Sequence, residues 1–173
     1  MRKNSVRELT MSAMLGAIYA VLTMVLPNQY LGMQIRLAEA LTVLPFLFPS
    51  ATPGLFVGCL IANLLSPYGL LDVVAGSAAT LLACLWPQRL KNRWLAPLPA
   101  VVCNAVIVGG VIAFAMTGHG PGFWVAYANN ALSVGLGELI ASYVLGSVLL
   151  SYLPRLSYFR AMIPPERLKL ITT

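Results

Sequence analysis

The sequence predicts an all-α integral membrane protein, a bundle of six transmembrane helices that forms a single domain over residues 1–173. Composition is the first reason: 59% of the residues are hydrophobic and only 9% are charged, whereas soluble domains carry about 25% charged residues. The second reason is that the long apolar runs are rich in Ala, Leu and Gly and lack the alternation of a barrel strand. Because hydrocarbon gives the backbone no hydrogen-bond partner, such runs must be helical.

The apolar runs divide the chain into six candidate spans of unequal length. They cover about residues 9–26, 37–49, 54–66, 69–86, 95–117 and 122–153. The second and third are each about 20 Å long at 1.5 Å per residue, against a hydrocarbon core of ~30 Å. These two runs could therefore also be read as one span of about thirty residues.

The positive charges decide between six spans and five. With six spans, both termini are cytoplasmic and ten of the eleven Lys and Arg residues lie on that side, as the positive-inside rule requires. The ten are Arg2, Lys3, Arg7, Arg89, Lys91, Arg93, Arg155, Arg160, Arg167 and Lys169. With five spans the basic clusters are split between the two sides. The sequence thus predicts six spans with only Arg36 outside, and the net charge of +6 reflects topology instead of a nucleic-acid partner.

The last run, 122–153, is too long for one straight span. It is expected to begin as an outer or interfacial segment that carries the aromatic residues Phe123, Trp124 and Tyr127, which are typical of a membrane interface. The segment 154–173 is predicted to be a basic cytoplasmic tail, and its charge can attract anionic lipid.

Three acidic residues fall within the predicted spans: Glu39, Asp72 and Glu138. Intramembrane carboxylates are costly and usually face a bundle interior or an aqueous cavity, so they indicate a functional site. Glu138 is the deepest, and Gly135 and Gly137 leave space beside it. Glu39 could instead form a local ion pair with Arg36 three residues earlier, and Asp72 could be a charge at a helix N-terminus.

The asparagine side chains within the spans follow the same pattern, and no such cluster occupies the inner half of the membrane. The four are Asn63, Asn104, Asn129 and Asn130. Together with the carboxylates they predict a polar chamber that opens outward and is closed toward the cytoplasm. The alternative for each amide is a hydrogen bond that only bridges two helices.

Other classes of site find little support in the sequence. Cys59, Cys84 and Cys103 lie in apolar runs without metal-ligand spacing and are interpreted as small buried hydrophobic residues. His119 is expected to be a solvated loop residue, so no metal site is predicted. The chain has no hydrolase signature and no Walker motif, which predicts that it is not an enzyme and cannot itself use ATP.

The first span carries two adjacent ridges of small residues. Ser12, Gly16 and Ala20 form one ridge, and Ala13 and Ala17 form the other. Such a flat face allows another helix to pack closely. The partner helix could belong to the same bundle or to another subunit.

At these residues the sequence resembles a known family. The motif AMLGA at 13–17 is similar to the AxxxA motif in the first helix of the substrate-binding S components of energy-coupling factor (ECF) transporters. Three stretches resemble, more specifically, the QueT family of queuosine-precursor importers: GMQIRLAEALTVLPFLFPSATPGLFVGCLIANLL at 32–65, GLLDVVAGSAATLLA at 69–83 and LAPLPAVVCNAVIVG at 95–109. The likeness covers about residues 8–152.

The resemblance implies an S component in the cell membrane of a prokaryote, with six helices and both termini in the cytoplasm. It implies partners: a transmembrane coupling subunit, which would dock on Ala13, Gly16, Ala17 and Ala20, and two ATPase subunits that use ATP. No cofactor is expected in this chain. The implied substrate is a 7-deazaguanine base (the 7-aminomethyl or 7-cyano form, or queuine) captured from outside.

The chemistry of such a base suits the polar residues. A carboxylate can accept hydrogen bonds from N1–H and the exocyclic amine, and an Asn or Arg can donate to the carbonyl. A second carboxylate would match the cation of the aminomethyl form. The candidate substrate-binding residues are Glu138, Glu39, Asp72, Arg36, Asn63, Asn104, Asn129, Asn130, Trp124 and Tyr127. Two alternatives remain: a proton- or ion-coupled carrier or pore in which Glu138 and Asp72 relay protons, and a structural subunit that binds no small molecule.

Overall fold

A computed structural model of the chain describes residues 6–26, 29–30 and 33–172. Helix α1 spans Val6–Val25 and is followed by a short antiparallel hairpin, β1 (Gln29–Tyr30) paired with β2 (Met33–Gln34). A 3-10 helix then runs over Leu37–Phe46, and a 3-10 turn at Pro49–Ala51 leads into α2, Thr52–Asn63. Ten residues are unusually many for a 3-10 helix, but at ~2.0 Å per residue they cover about 20 Å.

The second half contains two long helices. A π-helical segment, Asp72–Gly76, leads into α3, Ser77–Leu85, and 3-10 turns follow at Pro87–Arg89 and Arg93–Leu95. Helix α4 (Leu98–Cys103), a π segment (Asn104–Val108) and α5 (Gly109–Thr117) follow one another directly. The same holds for α6 (Phe123–Glu138), a π segment (Leu139–Gly146), α7 (Ser147–Tyr152) and a 3-10 turn (Leu153–Arg155). No break separates the aromatic start of the last run from its remainder.

Close contacts fix how these helices run relative to one another. Gly54 packs on Ser12 and Gly58 packs on Gly16, so α1 and α2 run in the same direction. Cys59 contacts Thr80 and Asn63 contacts Ser77, so α2 and α3 run in opposite directions. Parallel neighbours need a returning segment between them, and the 3-10 helix Leu37–Phe46 supplies it. The predicted spans over 9–26, 54–66 and 69–86 thus each contain one helix, and the predicted span over 37–49 lies in the 3-10 helix between the first two.

The basic clusters come together at one end of the molecule. The guanidinium of Arg7 lies over the ring of Tyr158, and Arg167 donates hydrogen bonds to the carbonyls of Leu90 and Gln88. The tail forms α8 (Ser157–Arg160) and α9 (Pro165–Thr172). Ile163 between them is buried in a core cluster with Phe46 and Leu47. The segment 154–173, predicted to be a basic cytoplasmic tail, therefore packs against the bundle through Ile163.

The molecule is apolar outside and polar inside. Large hydrophobic side chains such as Met14, Val21, Leu132, Val144 and Val148 are exposed. The buried residues include charged and polar side chains that soluble proteins keep at the surface: Glu39, Thr42, Asn63, Asp72, Ser77, Thr80, Asn104, Glu138 and Ser142. Such a surface requires a solvent other than water.

Three helical stretches of the described chain are long and apolar enough to cross a membrane. They are Val6–Val25, Arg93–Thr117 and Phe123–Arg155, of 20, 25 and 33 residues. The 33-residue stretch is about 50 Å long at 1.5 Å per residue, which exceeds a hydrocarbon core of ~30 Å. It must therefore tilt or project beyond the hydrocarbon.

Candidate functional site

The polar cluster of the bundle lies where the helices depart from α geometry. Asp72 and Asn104 each begin a π-helical segment, Glu138 immediately precedes a third, and Glu39 lies in the 3-10 helix. Single π turns within helices are frequent at functional sites, because they re-aim side chains and free backbone groups. Four separate helical passes thus contribute polar side chains to one interior region.

Arg36 closes one side of this region. Its Nη2 lies 3.3 Å from Asp72 Oδ2, and its Nη1 donates to Asn63 Oδ1 at 3.4 Å. The Ser66 hydroxyl donates to the same Asp72 oxygen at 2.6 Å. Asp72 is fully buried, and the ion pair joins the segment before the 3-10 helix to the start of the fourth pass.

Asn63 holds these elements together. Its Nδ2 lies within hydrogen-bond distance of the Asp72 carbonyl at 3.1 Å, Ser77 Oγ at 3.2 Å and Cys59 Sγ at 3.4 Å. Both ends of the amide therefore have partners within the chain. Its role in this structure is to bridge α2 to the start of α3.

Glu39 is fully buried and receives its hydrogen bonds at one oxygen. Tyr19 Oη donates to Glu39 Oε1, and Thr80 Oγ1 donates to the same atom at 3.3 Å. The other oxygen, Oε2, has no hydrogen-bond partner in the described chain. This carboxyl group therefore keeps one free acceptor inside the bundle.

Glu138, the last residue of α6, is also buried, with only 2% of its surface exposed. Ser142, one turn later, donates to its Oε2 at 3.5 Å, which is a weak contact. The side chain of Asn104 lies near the carboxyl groups of both Glu39 and Glu138. Its Nδ2 nevertheless has no hydrogen bond of good geometry in the described chain. An acceptor and a donor thus remain unsatisfied in the same place.

Three of these polar residues line a small cavity, and Glu39 is not among its lining residues. Arg36, Asn104, Val108, Val134 and Glu138 enclose a space of about 10 Å³, which is room for about one water molecule. Arg36 forms a salt bridge with Asp72, and no other salt bridge is seen between described residues. Glu39 and Glu138 therefore have no cation paired with them in this part of the chain.

The chemical capacity of the site follows from these free groups. Buried polar atoms are normally hydrogen-bonded, and each unsatisfied one costs about 1–3 kcal/mol. Here Glu39 Oε2, Asp72 Oδ1 and the Asn104 amide nitrogen are unsatisfied. The site can accept hydrogen bonds from a donor-rich or cationic ligand and donate one hydrogen bond to a carbonyl.

The family model described as QueT transporter matches residues 9–155, which is most of the chain. The chain belongs to the QueT transporter family. This confirms the family resemblance and gives the protein a transport role. No curated protein and no solved structure matches the chain significantly.

In this QueT-family chain the structure brings together six of the ten predicted substrate-binding residues. They are Arg36, Glu39, Asn63, Asp72, Asn104 and Glu138. Arg36 pairs with Asp72 instead of forming the local ion pair with Glu39 that the three-residue spacing allowed. Asp72, which could have been only a charge at a helix N-terminus, is thus the ion-pair partner of Arg36.

The other four predicted residues lie apart from this cluster on α6. Trp124 and Asn129 are exposed, and the amide of Asn130 donates to the Ala126 carbonyl one turn earlier at 2.8 Å. Tyr127 stacks on Phe123, with ring centroids 6.1 Å apart. Asn129 precedes Glu138 by nine residues, which is about 13 Å along a helix.

The predicted docking face needs a correction. Gly16 and Ala20 are buried, because Gly16 lies against the backbone of Gly54 and leaves no space for a Cβ atom. Their ridge therefore packs inside the bundle against α2. Only Ala13 and Ala17 remain on the exposed side of α1.

Four polar residues that contact the site were not predicted from the sequence. Tyr19 and Thr80 hold Glu39, Ser66 holds Asp72, and Ser142 contacts Glu138. Two of them had a local signal: Ser142 is four residues after Glu138, and Tyr19 shares the buried ridge of Ser12 and Gly16. Thr80 and Ser66 are single hydroxyl residues in apolar or turn segments, and only the packing shows their partners.

Proposed function

We propose that this QueT-family chain is the substrate-binding S component of an ECF-type importer and captures a 7-deazaguanine queuosine precursor from outside the cell. The observation that carries the proposal is the pair of buried carboxyl groups, Glu39 and Glu138, which form no salt bridge within the described part of the chain and lie beside the unsatisfied amide of Asn104.

The edge of a guanine-type base complements these groups. Its N1–H and exocyclic amine are paired donors for a carboxyl group, and its carbonyl accepts from an amide such as Asn104. The aminomethyl form adds a cation, for which the second carboxyl group provides a partner. Arg36, held by Asp72, closes the same cavity.

Capture requires the cavity to widen. Small-molecule sites usually enclose ~300 Å³ or more, whereas this cavity has about 10 Å³. Val108 and Val134 form its apolar walls on the α4–α5 and α6–α7 helices, both of which contain π segments. Separation of these two helices is the movement that would admit a flat ring.

Two features support the proposed setting. The basic clusters, which gather at one end of the molecule, fit six membrane spans with both termini in the cytoplasm of a prokaryote. The exposed ridge of Ala13 and Ala17 fits close docking of a transmembrane coupling subunit. The energy would come from ATP used by two partner ATPase subunits.

The test is a calorimetric titration of the purified chain with 7-aminomethyl- and 7-cyano-7-deazaguanine, with guanine and a pyrimidine base as controls. Saturable binding of a deazaguanine, together with co-purification of a coupling subunit and ATPases from the native membrane, is the expected result. Binding of none of these bases would contradict the substrate assignment.

A second candidate function, a proton- or ion-coupled carrier, rests on the same two carboxyl groups. Glu39 and Glu138 could carry protons across the bundle instead of binding a base. Reconstituted into vesicles without partner subunits, such a carrier would accumulate substrate when a pH gradient is imposed. An S component would give no accumulation under these conditions.

A further inference from the structure

A second cavity lies at the opposite, basic end of the molecule and plays no part in the proposed substrate site. It has a volume of about 300 Å³ and is lined by Arg93, Leu150, Ser151, Pro154, Arg155, Arg160, Leu168 and Ile171. Three separate parts of the chain contribute its arginines: the turn after α3, the end of the last long helix and α8. We call it the arginine cleft.

The arginine cleft is both cationic and apolar. None of its three arginines forms an ion pair with a carboxylate in the described part of the chain, where the salt bridge Arg36–Asp72 stands alone. Arg93 is held with its guanidinium 4.8 Å from the centre of the Trp94 ring. Leu150, which is 4% exposed, and the α9 residues Leu168 and Ile171 supply apolar surface.

This combination fits a phosphate group attached to an apolar body. Guanidinium groups bind phosphate oxygens in a fork geometry, and Ser151 lines the same cavity with its hydroxyl group. Trp94 and Tyr152, each next in sequence to a residue that lines the cleft, and Tyr158 on α8 are 60%, 59% and 54% exposed, as is usual for aromatic residues at a membrane interface. At the depth of a membrane interface, the phosphate groups that are present belong to lipid headgroups.

We propose that the arginine cleft binds the phosphate of an anionic phospholipid and thereby fixes the tail helices α8 and α9 against the bundle. The proposal does not depend on which substrate the carboxylate site takes. It differs from diffuse attraction of basic residues to a membrane, because the arginines converge on one cavity with an apolar floor.

The experiment compares the double variant Arg155→Gln/Arg160→Gln with the matched control Arg89→Gln/Lys91→Gln. The control residues are exposed, lie at the same end and do not line the cleft. Each protein is released from nanodiscs that contain phosphatidylglycerol and phosphatidylcholine, and its retained lipid is counted by native mass spectrometry. A charge-assisted hydrogen bond is worth about 1.5–3 kcal/mol, so the cleft variant should retain phosphatidylglycerol at least ~10-fold less than the wild type and the control.

Four results would overturn the proposal. Equal losses in the two double variants would mean diffuse attraction. Equal retention of the two lipids by the wild type would mean that the cleft does not select an anionic headgroup, since both lipids carry a phosphate and only phosphatidylglycerol has a net negative charge. Inorganic phosphate that displaces the lipid and raises the Tm to the same extent would mean a soluble phosphate ligand. If lipid retention is unchanged but co-purification with partner subunits is lost in the cleft variant, the cleft is a protein contact instead.

Discussion

Asn63 and Asn104 show at the residue scale how similar side chains take different roles. Both are buried amides in the polar interior, and sequence alone gave each the same two interpretations. The nitrogen of Asn63 has partners on α2 and at the start of α3, whereas that of Asn104 has none. Asn63 therefore stabilises the bundle, and Asn104 is the amide available to a ligand.

Glu138 provides the sharpest prediction at this scale. In Glu138→Gln, a group that can accept two hydrogen bonds becomes an amide that accepts at one atom and presents its own donor to the ring. Because a charge-assisted hydrogen bond contributes about 1.5–3 kcal/mol, affinity for both the aminomethyl and the cyano base should fall by roughly 10- to 100-fold in calorimetric titration.

The control is Glu166→Gln, the same change at an exposed position on α9, which should bind like the wild type. Glu39→Gln should weaken the aminomethyl base more than the cyano base, since only the former carries a cation. Unchanged affinity in Glu138→Gln would remove this residue from the binding site, and equal losses for the two bases in Glu39→Gln would remove the assigned cation contact.

At the scale of elements, α1 has two sides with different tasks. The side of Ser12 and Gly16 packs on α2, where the Gly54 N–H donates to Ser12 Oγ at 3.0 Å. The same helix holds Glu39 through Tyr19. The side of Ala13 and Ala17 is exposed and contacts neither α2 nor Glu39. A partner docked on this side would thus bind the helix that also positions a carboxyl group of the site.

The close contact of α1 with α2 can be tested with two glycine-to-alanine substitutions, one at the contact on α2 and a control on α5. In Gly54→Ala the new methyl group would overlap the Ser12 backbone. Overpacking of this kind costs about 1–3 kcal/mol, so the Tm in detergent should fall. In Gly110→Ala the nearest atom, on the Tyr127 ring, is 3.5 Å away, so this variant should unfold like the wild type or slightly later.

Ala17→Trp tests the exposed side of the same helix. A large side chain there would hold a partner helix at a distance, while nothing inside the bundle has to move. We expect binding by the isolated chain and its Tm to be unchanged, whereas co-purification with partner subunits and cellular uptake are lost. Loss of binding by the isolated chain would show that this ridge serves internal packing.

At the scale of the whole molecule, the distribution of polarity determines the environment. Exposed leucine and valine side chains surround buried carboxyl and amide groups, an arrangement that is stable only where lipid covers the outside. The gathering of basic residues at one end, together with the six spans that the sequence predicts, gives the expected orientation of the molecule.

Cysteine labelling in intact cells measures this orientation. His119 and Lys91 are exposed near opposite ends of the fifth pass, and the native cysteines Cys59, Cys84 and Cys103 are buried. A cysteine at position 119 should react with a membrane-impermeant maleimide, and one at position 91 should react only after the cells are opened. Labelling at position 91 in intact cells would contradict cytoplasmic termini with six spans.

The sequence by itself determined the class of the molecule. Composition and run length follow directly from the requirement that lipid-facing backbone be hydrogen-bonded internally, so a helical membrane protein could be predicted without contacts. The stretches around residues 32–109 also indicated the family, which the match over 9–155 confirms. The buried carboxyl groups stood out because charged residues are rare in apolar runs.

Only the tertiary structure decided which of those residues meet. Arg36 had Glu39 as its near neighbour in sequence, yet it pairs with Asp72, 36 positions away, because the hairpin and α2 bring these ends together. Gly16 and Ala17 are adjacent in sequence, but the helix turns them to opposite environments, one against Gly54 and the other to the exterior. A local pattern specifies the face on which a side chain lies. The element that packs against that face is fixed by contacts between distant parts of the chain.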